Sequence, residues 1–156
     1  MIKHLVMDVD GVLTTGQMLY SSEGKQYKIF GAHDRDGLKL AARLGLSINF
    51  ITADKRGFSI SYARIVTDWG YAPEQLALVT EEDRLTWVTS RFSLDEVAYI
   101  GDGIHDVPIL AAVGLGIAPK NARREALAIA DYVTDSDAGC GAVLDACLII
   151  QRNINA

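Results

Sequence analysis

Cysteine, proline and clustered positive charge are all scarce in this chain of 156 residues. The two cysteines, Cys140 and Cys147, have a spacing that matches neither a zinc ligand set nor a redox pair, and both are expected to be buried thiols. With three prolines and 22% charged residues, the composition excludes a largely disordered chain, which would bury too little apolar surface to offset its ordering entropy. Basic residues number 15 against 20 acidic ones, for a net charge of −5, and no basic run is longer than Arg123-Arg124. A polyanionic backbone would find no attractive patch, so nucleic acid is not an expected partner. The apolar start, Met1 to Met7, meets Asp8 and Asp10 too soon for a signal peptide or a membrane span. A cytoplasmic protein without a membrane partner is the expectation.

What the chain does have is hydrophobic content, 49% of its residues. A chain of this length buries roughly 70% of its unfolded surface, enough for one domain over residues 1–156 that folds without disulfides or metal. Any metal would then serve chemistry.

Short aliphatic runs alternate with helical periodicity along the chain. Ile2 to Met7 reads as a buried strand that ends in the polar loop Asp8-Val9-Asp10-Gly11. Two β-like runs separated by turn residues predict a hairpin over about 17–30. A helix follows over Asp36 to Leu44, stopped by Gly45, and then a strand over Ser47 to Thr52. Phe58, Tyr62, Ile65, Val66 and Trp69 share one face of a second helix, ended by Gly70 and Pro73. Leu76 to Val79 is a strand, and Thr80 to Asp83 has capping-box spacing for a helix carrying Leu85, Val88 and Phe92. The rest reads as strand Val97 to Ile100, helix 105–113 with Pro108 in its first turn, strand Leu115 to Ala118, helix 122–129, strand Tyr132-Val133 and a helix from about 140. Such alternation predicts an α/β fold: a Rossmann-like three-layer α/β/α sandwich with a mainly parallel sheet and a β-hairpin inserted after strand 1.

In parallel sheets of this kind, ligands gather beyond the C-terminal ends of the strands. The groups that follow successive strands here are Asp8 and Asp10, then Thr52, then Arg84, then Asp102. Carboxylates converging on one rim repel unless a cation lies between them, and a small set of oxygen ligands favours Mg²⁺ over zinc. A hydroxyl and a fixed cation beside that metal suit the oxygens of a phosphate. The whole set is what phosphoryl transfer requires. An EF-hand would need oxygen ligands where Val12 and Leu19 stand, and a dinucleotide loop at Gly101-Asp102-Gly103 would need a glycine at Asp106. His105 reads as a rim or packing residue, with substrate contact as its alternative. Trp69, Trp87 and the tyrosines read as core or interface residues rather than a cofactor box.

Asp8-Val9-Asp10-Gly11-Val12-Leu13-Thr14 resembles motif I of the haloacid dehalogenase superfamily, in its phosphatase branch with two aspartates. Thr52 resembles motif II, Arg84 the basic motif III, and Gly101-Asp102-Gly103-Ile104-His105-Asp106 the acidic motif IV. Arg35-Asp36-Gly37, Val97 to Asp102, Ala130 to Thr134 and Gly141-Ala142-Val143 extend the likeness over almost the whole chain. The family they resemble is the cap-less phosphatases of 3-deoxy-D-manno-octulosonate 8-phosphate and related nine-carbon sugar-acid phosphates. The resemblance implies a Mg²⁺-dependent phosphomonoesterase in which Asp8 is the nucleophile and Asp10 the general acid and base. It further implies that Thr52 and Arg84 bind phosphoryl oxygens, and that Asp8, the main-chain carbonyl of Asp10, and Asp102 hold the metal, with Asp106 orienting the arrangement. A small phosphorylated metabolite as substrate, a role in cell-envelope polysaccharide biosynthesis and a homotetramer built through the hairpins belong to the same implication.

The chain departs from the family where specificity is decided. Thr15 stands for an aspartate after motif I, Asp54 for the arginine of motif II, Gly103 for the second aspartate of motif IV, and Leu144 for a late basic residue. Arg84 replaces the lysine of motif III, and the two differ in shape and donor geometry. A sugar-acid carboxylate would lose cationic partners worth about 1.5–3 kcal/mol each if buried. These substitutions leave a rival reading open, a catalytically impaired oligomeric binding or regulatory subunit. A phosphate-accepting receiver domain shares the fold class but leaves the hairpin and Asp10-Gly11 unexplained.

Overall fold

The computed structural model describes residues 1–156. Six strands form one parallel sheet: β1 (His4–Asp8), β4 (Ser47–Thr52), β5 (Leu76–Leu78), β6 (Val97–Ile100), β7 (Leu115–Ala118) and β8 (Tyr132–Val133). Their spatial order is β5-β4-β1-β6-β7-β8. The chain therefore builds outward from β1 to one edge, then returns to β6 on the other side of β1 and builds to the opposite edge. That reversal opens a crevice at the carboxyl ends of β1 and β6.

Side chains along each strand alternate between two cores. Leu5, Met7, Ile48, Phe50, Ala98 and Ile100 pack on one face, while Val6, Ile51, Val97 and Tyr99 pack on the other. The first face is covered by α1 (Asp34–Arg43), α2 (Phe58–Tyr62) and α6 (Ala142–Ile154). The second is covered by α3 (Arg84–Thr89), α4 (Val107–Ala112) and α5 (Arg124–Ile129). Burial on both faces explains why the strands read as continuous apolar runs. The three-layer arrangement and the antiparallel hairpin of β2 (Thr14–Ser21) and β3 (Gly24–Phe30) agree with the sequence-based expectation. No helix is long and apolar enough to cross a membrane.

Several details differ from expectation. The hairpin begins at Thr14 rather than at 17, because β2 pairs from Thr14, opposite Phe30. α2 continues through a wider turn over Ala63–Asp68 before Trp69 closes it. Thr80 does not cap α3: its hydroxyl donates to Asp83 Oδ2 at 2.7 Å, the helix starts only at Arg84, and Phe92 lies beyond its end. Of the two cysteines only Cys147 is buried, its thiol pushed up to about 12 chiefly by burial, whereas Cys140 is exposed just before α6. Phe30 turns inward against Trp69 at 6.2 Å, but Leu19, Tyr20, Tyr27 and Ile29 leave the hairpin with exposed apolar surface.

Candidate active site

The loop after β1 is shaped by its glycine. Asp8 and Asp10 keep extended backbone, and Gly11 turns back at φ 81°. The Thr14 hydroxyl closes the loop by accepting from the amides of Gly11 at 3.2 Å and Gly16 at 3.1 Å. A Cβ on Gly11 would stand 2.0 Å from Asp102 Oδ2, so the lack of a side chain is what lets the loop after β6 lie against the loop after β1.

Asp8 is nearly buried, and its Oδ1 accepts from the amide of Val9 at 2.8 Å. Arg84, at the start of α3, sets its guanidinium against it, with Nη1 3.1 Å from Oδ2 and Nη2 3.4 Å from Oδ1. The same Nη1 donates to Asp106 Oδ1 at 2.7 Å. Burial drives the Asp8 carboxyl well above the ordinary carboxylate range, against the pull of Arg84. Burial and then the Asp106 charge push Asp102 up to about 6.

One oxygen each from Asp8, Asp102 and Asp106 lie within 4.8 Å of one another. They are not equivalent as ligands. Asp106 Oδ1 already accepts from Arg84 and from the Tyr99 hydroxyl at 2.5 Å, and Oδ2 accepts from the amides of Asp102 at 3.0 Å and Gly103 at 2.9 Å. Its lone pairs are spent. Asp102 has no side-chain donor on its carboxylate, and two raised carboxyls side by side are the condition a divalent cation relieves. The donor set is all oxygen, which fits Mg²⁺, with Asp102 and the remaining lone pair of Asp8 Oδ2 able to hold it.

Asp10 is half-buried across the cleft. Thr52 Oγ1 donates to its Oδ2 at 3.3 Å and accepts from the Asp54 amide at 3.1 Å. Lys28 Nζ lies 3.0 Å from each of its carboxylate oxygens. Asp54 pairs with Lys25 at 2.6 Å and Lys28 at 3.0 Å. Burial alone would raise its carboxyl, but the hydrogen bonds from Lys25 and Lys28 outweigh that and hold it at about 2.

The structure thus gathers Asp8, Asp10, Thr52, Arg84, Asp102 and Asp106 around one open cleft of about 320 Å³. His105 and Glu81 form its rim, paired at 2.9 Å with both side chains half exposed. Leu144 is not part of it, since its backbone packs on Gly37 of α1. Sequence reasoning missed Lys25 and Lys28. The signal was incomplete: Asp54 in place of a cation puts a second negative charge beside Asp10 and so calls for a cation, but Lys55 and Arg56 stand nearer in the chain than the hairpin lysines that the fold brings there.

Comparison with known proteins places the fold and the chain as a whole. Residues 89–146 match the family model of haloacid dehalogenase-like hydrolases. The 3-deoxy-D-manno-octulosonate 8-phosphate phosphatase KdsC of Salmonella typhi is 30% identical over 154 residues, covering 94% of this chain and 77% of that protein. The crystal structure of the Moraxella catarrhalis 3-deoxy-D-manno-octulosonate 8-phosphate phosphatase, in complex with magnesium, phosphate and KDO, superposes with a TM-score of 0.81 at 30% identity, covering 97% of this chain and 86% of that one. The cobalt-bound enzyme of Haemophilus influenzae superposes with a TM-score of 0.80 at 27% identity, over 97% of this chain and 88% of its own.

Proposed function

The chain belongs to the haloacid dehalogenase superfamily, among the 3-deoxy-D-manno-octulosonate 8-phosphate phosphatase-like proteins, and from that premise we propose a Mg²⁺-dependent phosphomonoesterase that works through an aspartyl-phosphate on Asp8. Its substrate is a small sugar-acid phosphate, either 3-deoxy-D-manno-octulosonate 8-phosphate or a nine-carbon ulosonic acid 9-phosphate. The observation that carries the reading is the position of Asp8, at the floor of the crevice between β1 and β6, with Arg84 on one side and Asp102 on the other.

Asp8 attacks phosphorus as the bond to the substrate oxygen breaks, and Asp10, across the cleft, gives that oxygen its proton. Asp10 then takes a proton from water, whose oxygen attacks phosphorus and frees Asp8. Thr52 and Arg84 bind the phosphoryl oxygens, and Arg84 Nε, buried without a partner, is a donor still to be used. Asp8, the Asp10 main-chain carbonyl and Asp102 would hold Mg²⁺, which would supply neutralisation of the charge on the transferred group. Asp106, saturated by four donors, holds Arg84 and the 102–103 amides in place. With Asp10 ionised, Lys25 and Lys28 balance Asp10 and Asp54; with Asp10 carrying the proton it donates, the wall has one positive charge in excess, and in neither state does it repel a sugar-acid carboxylate.

The exposed apolar hairpin supports a homotetramer, since an isolated two-stranded ribbon cannot bury Leu19, Tyr20 and Tyr27 by itself. Residues 1–156 act as one cytoplasmic domain. Intact Asp8, Asp10, Thr52 and Asp102, gathered in one cleft, disfavour the impaired-subunit reading. The test is phosphate release with Mg²⁺ or EDTA across sugar-acid phosphates, ordinary sugar phosphates and p-nitrophenyl phosphate. Metal-dependent turnover lost in Asp8→Asn is expected. Full Mg²⁺-dependent hydrolysis by Asp8→Asn would overturn the nucleophile. No hydrolysis of any ester by folded, Mg²⁺-binding protein would return the impaired subunit to favour.

A further inference from the structure

Lys28 is a buried cation whose part above is charge balance alone, yet its contacts are directional. We propose that Lys28 is the positioning residue for Asp10: held by Asp54 and Ser61, it aims the Asp10 carboxylate at the substrate oxygen, and so links the hairpin to the chemistry. The proposal rests on the reading of Asp10 as the group that moves the leaving-group and water protons.

The Lys28 side chain is 0% exposed and does not line the cleft, whereas Lys25 does. It therefore acts through a neighbour and not on the substrate. An ammonium has three donors, and here all are engaged: by Asp10 at 3.0 Å, by Ser61 Oγ of α2 at 2.8 Å and by Asp54 Oδ2 at 3.0 Å. Three partners from three segments leave the nitrogen one place to stand. Asp54 is itself fixed by Lys25 at 2.6 Å and by the Gly57 amide at 3.0 Å, so the support reaches from β3 through the loop after β4 to α2.

Asp10 has one other side-chain contact, the longer 3.3 Å bond from Thr52. Without the ammonium, Lys25 would still hold Asp54, but Asp10 would lose the group that touches both of its oxygens and would be left with the Thr52 bond alone, free to turn. A misplacement of about 1 Å in a proton-transfer group costs about 10²-fold in rate.

The experiment separates positioning of Asp10 from loss of folding by choice of leaving group. An alkoxide leaves poorly and needs a proton in the first step, while p-nitrophenolate leaves without one. The first-turnover release of alcohol or phenolate is measured by rapid quench with Mg²⁺ present. The substrates are p-nitrophenyl phosphate and the alkyl phosphate that the unaltered protein hydrolyses fastest in the panel above. Lys28→Met is expected to slow release from the alkyl ester about 10²-fold and from p-nitrophenyl phosphate by less than about 3-fold, with KM for the alkyl ester nearly unchanged. Lys28→Gln, which keeps a neutral donor, should recover part of the loss and serves if the methionine variant does not fold. Asp10→Asn is run beside them and should show the same leaving-group dependence. If Asp10→Asn discriminates between the esters and folded Lys28 variants lose both equally, the proposal is overturned. If Asp10→Asn itself does not discriminate, the assignment of Asp10 fails first and the proposal falls with it.

Discussion

Replacing Asp106 by asparagine keeps the shape of the side chain and changes only what its atoms can accept. Asp106 is 1% exposed and receives four donors, two on each oxygen: Arg84 and Tyr99 on Oδ1, the amides of Asp102 and Gly103 on Oδ2. An asparagine has one oxygen, so in either flip its NH₂ group faces donors. Turned toward Tyr99, the NH₂ can be accepted by the hydroxyl, but it then opposes Arg84 Nη1, which cannot accept. Turned the other way, it opposes two backbone amides. Removing one partner from a buried ion pair costs about 3–5 kcal/mol. Arg84 keeps Asp8 at 3.1 Å, which favours the lower end, and loss of a negative charge near Asp8 and Asp102 relieves repulsion that offsets about 1 kcal/mol more. The stranded donor adds about 1–3 kcal/mol. A net loss of about 3–5 kcal/mol corresponds to a fall in Tm of about 6–20 °C for a chain of this size. Urea and thermal unfolding in EDTA, followed by fluorescence of Trp69 and Trp87, measure it. An unchanged or raised midpoint for Asp106→Asn would show that repulsion among the three carboxylates outweighs the clamp, and the reasoning would be refuted.

Two further perturbations probe the neighbouring loops. Gly11→Ala must overcome a φ of 81° and place a Cβ 2.0 Å from Asp102 Oδ2. The Mg²⁺ concentration needed for half-maximal phosphate release should rise at least about 10-fold, and an unchanged Mg²⁺ dependence would contradict the packing of the two loops. Asp54 is held at about 2 against an ordinary 3.8, so its pairs with Lys25 and Lys28 stabilise the fold above the ordinary value and are lost as pH falls from 3.8 toward 2. Urea midpoints of the unaltered protein and Asp54→Asn should therefore differ at neutral pH and converge in that acid window, whereas a gap independent of pH would argue against the ion pairs.

Much of this architecture is legible without coordinates. The apolar runs at Ile2 to Met7, where the strand itself is His4–Asp8, and at Ser47 to Thr52, Val97 to Ile100 and Leu115 to Ala118 form strands because their middles are buried on both faces, and burial on both faces is written in composition. The polar residues that follow them had to lie on one rim, since all strands of a parallel sheet point the same way. That is why Asp8, Asp10, Thr52, Arg84 and Asp102 could be named together from their order alone. Local details were less legible: Thr80 has the spacing of a cap but bonds Asp83, because a side-chain partner competes with the backbone amide.

The sequence by itself determined the fold class, the strand-end rim and the kinds of groups on it, because periodicity and strand direction are properties of the chain. Only the tertiary structure decided which groups pair. It is the crossing of the loops after β1 and β6 at Gly11 that sets Asp102 beside Asp8. It is the fold of the hairpin over the sheet end that brings Lys25 and Lys28 to Asp54 and Asp10. Charge pairing depends on distances of a few ångströms between segments far apart in sequence, and no spacing rule along the chain contains those distances.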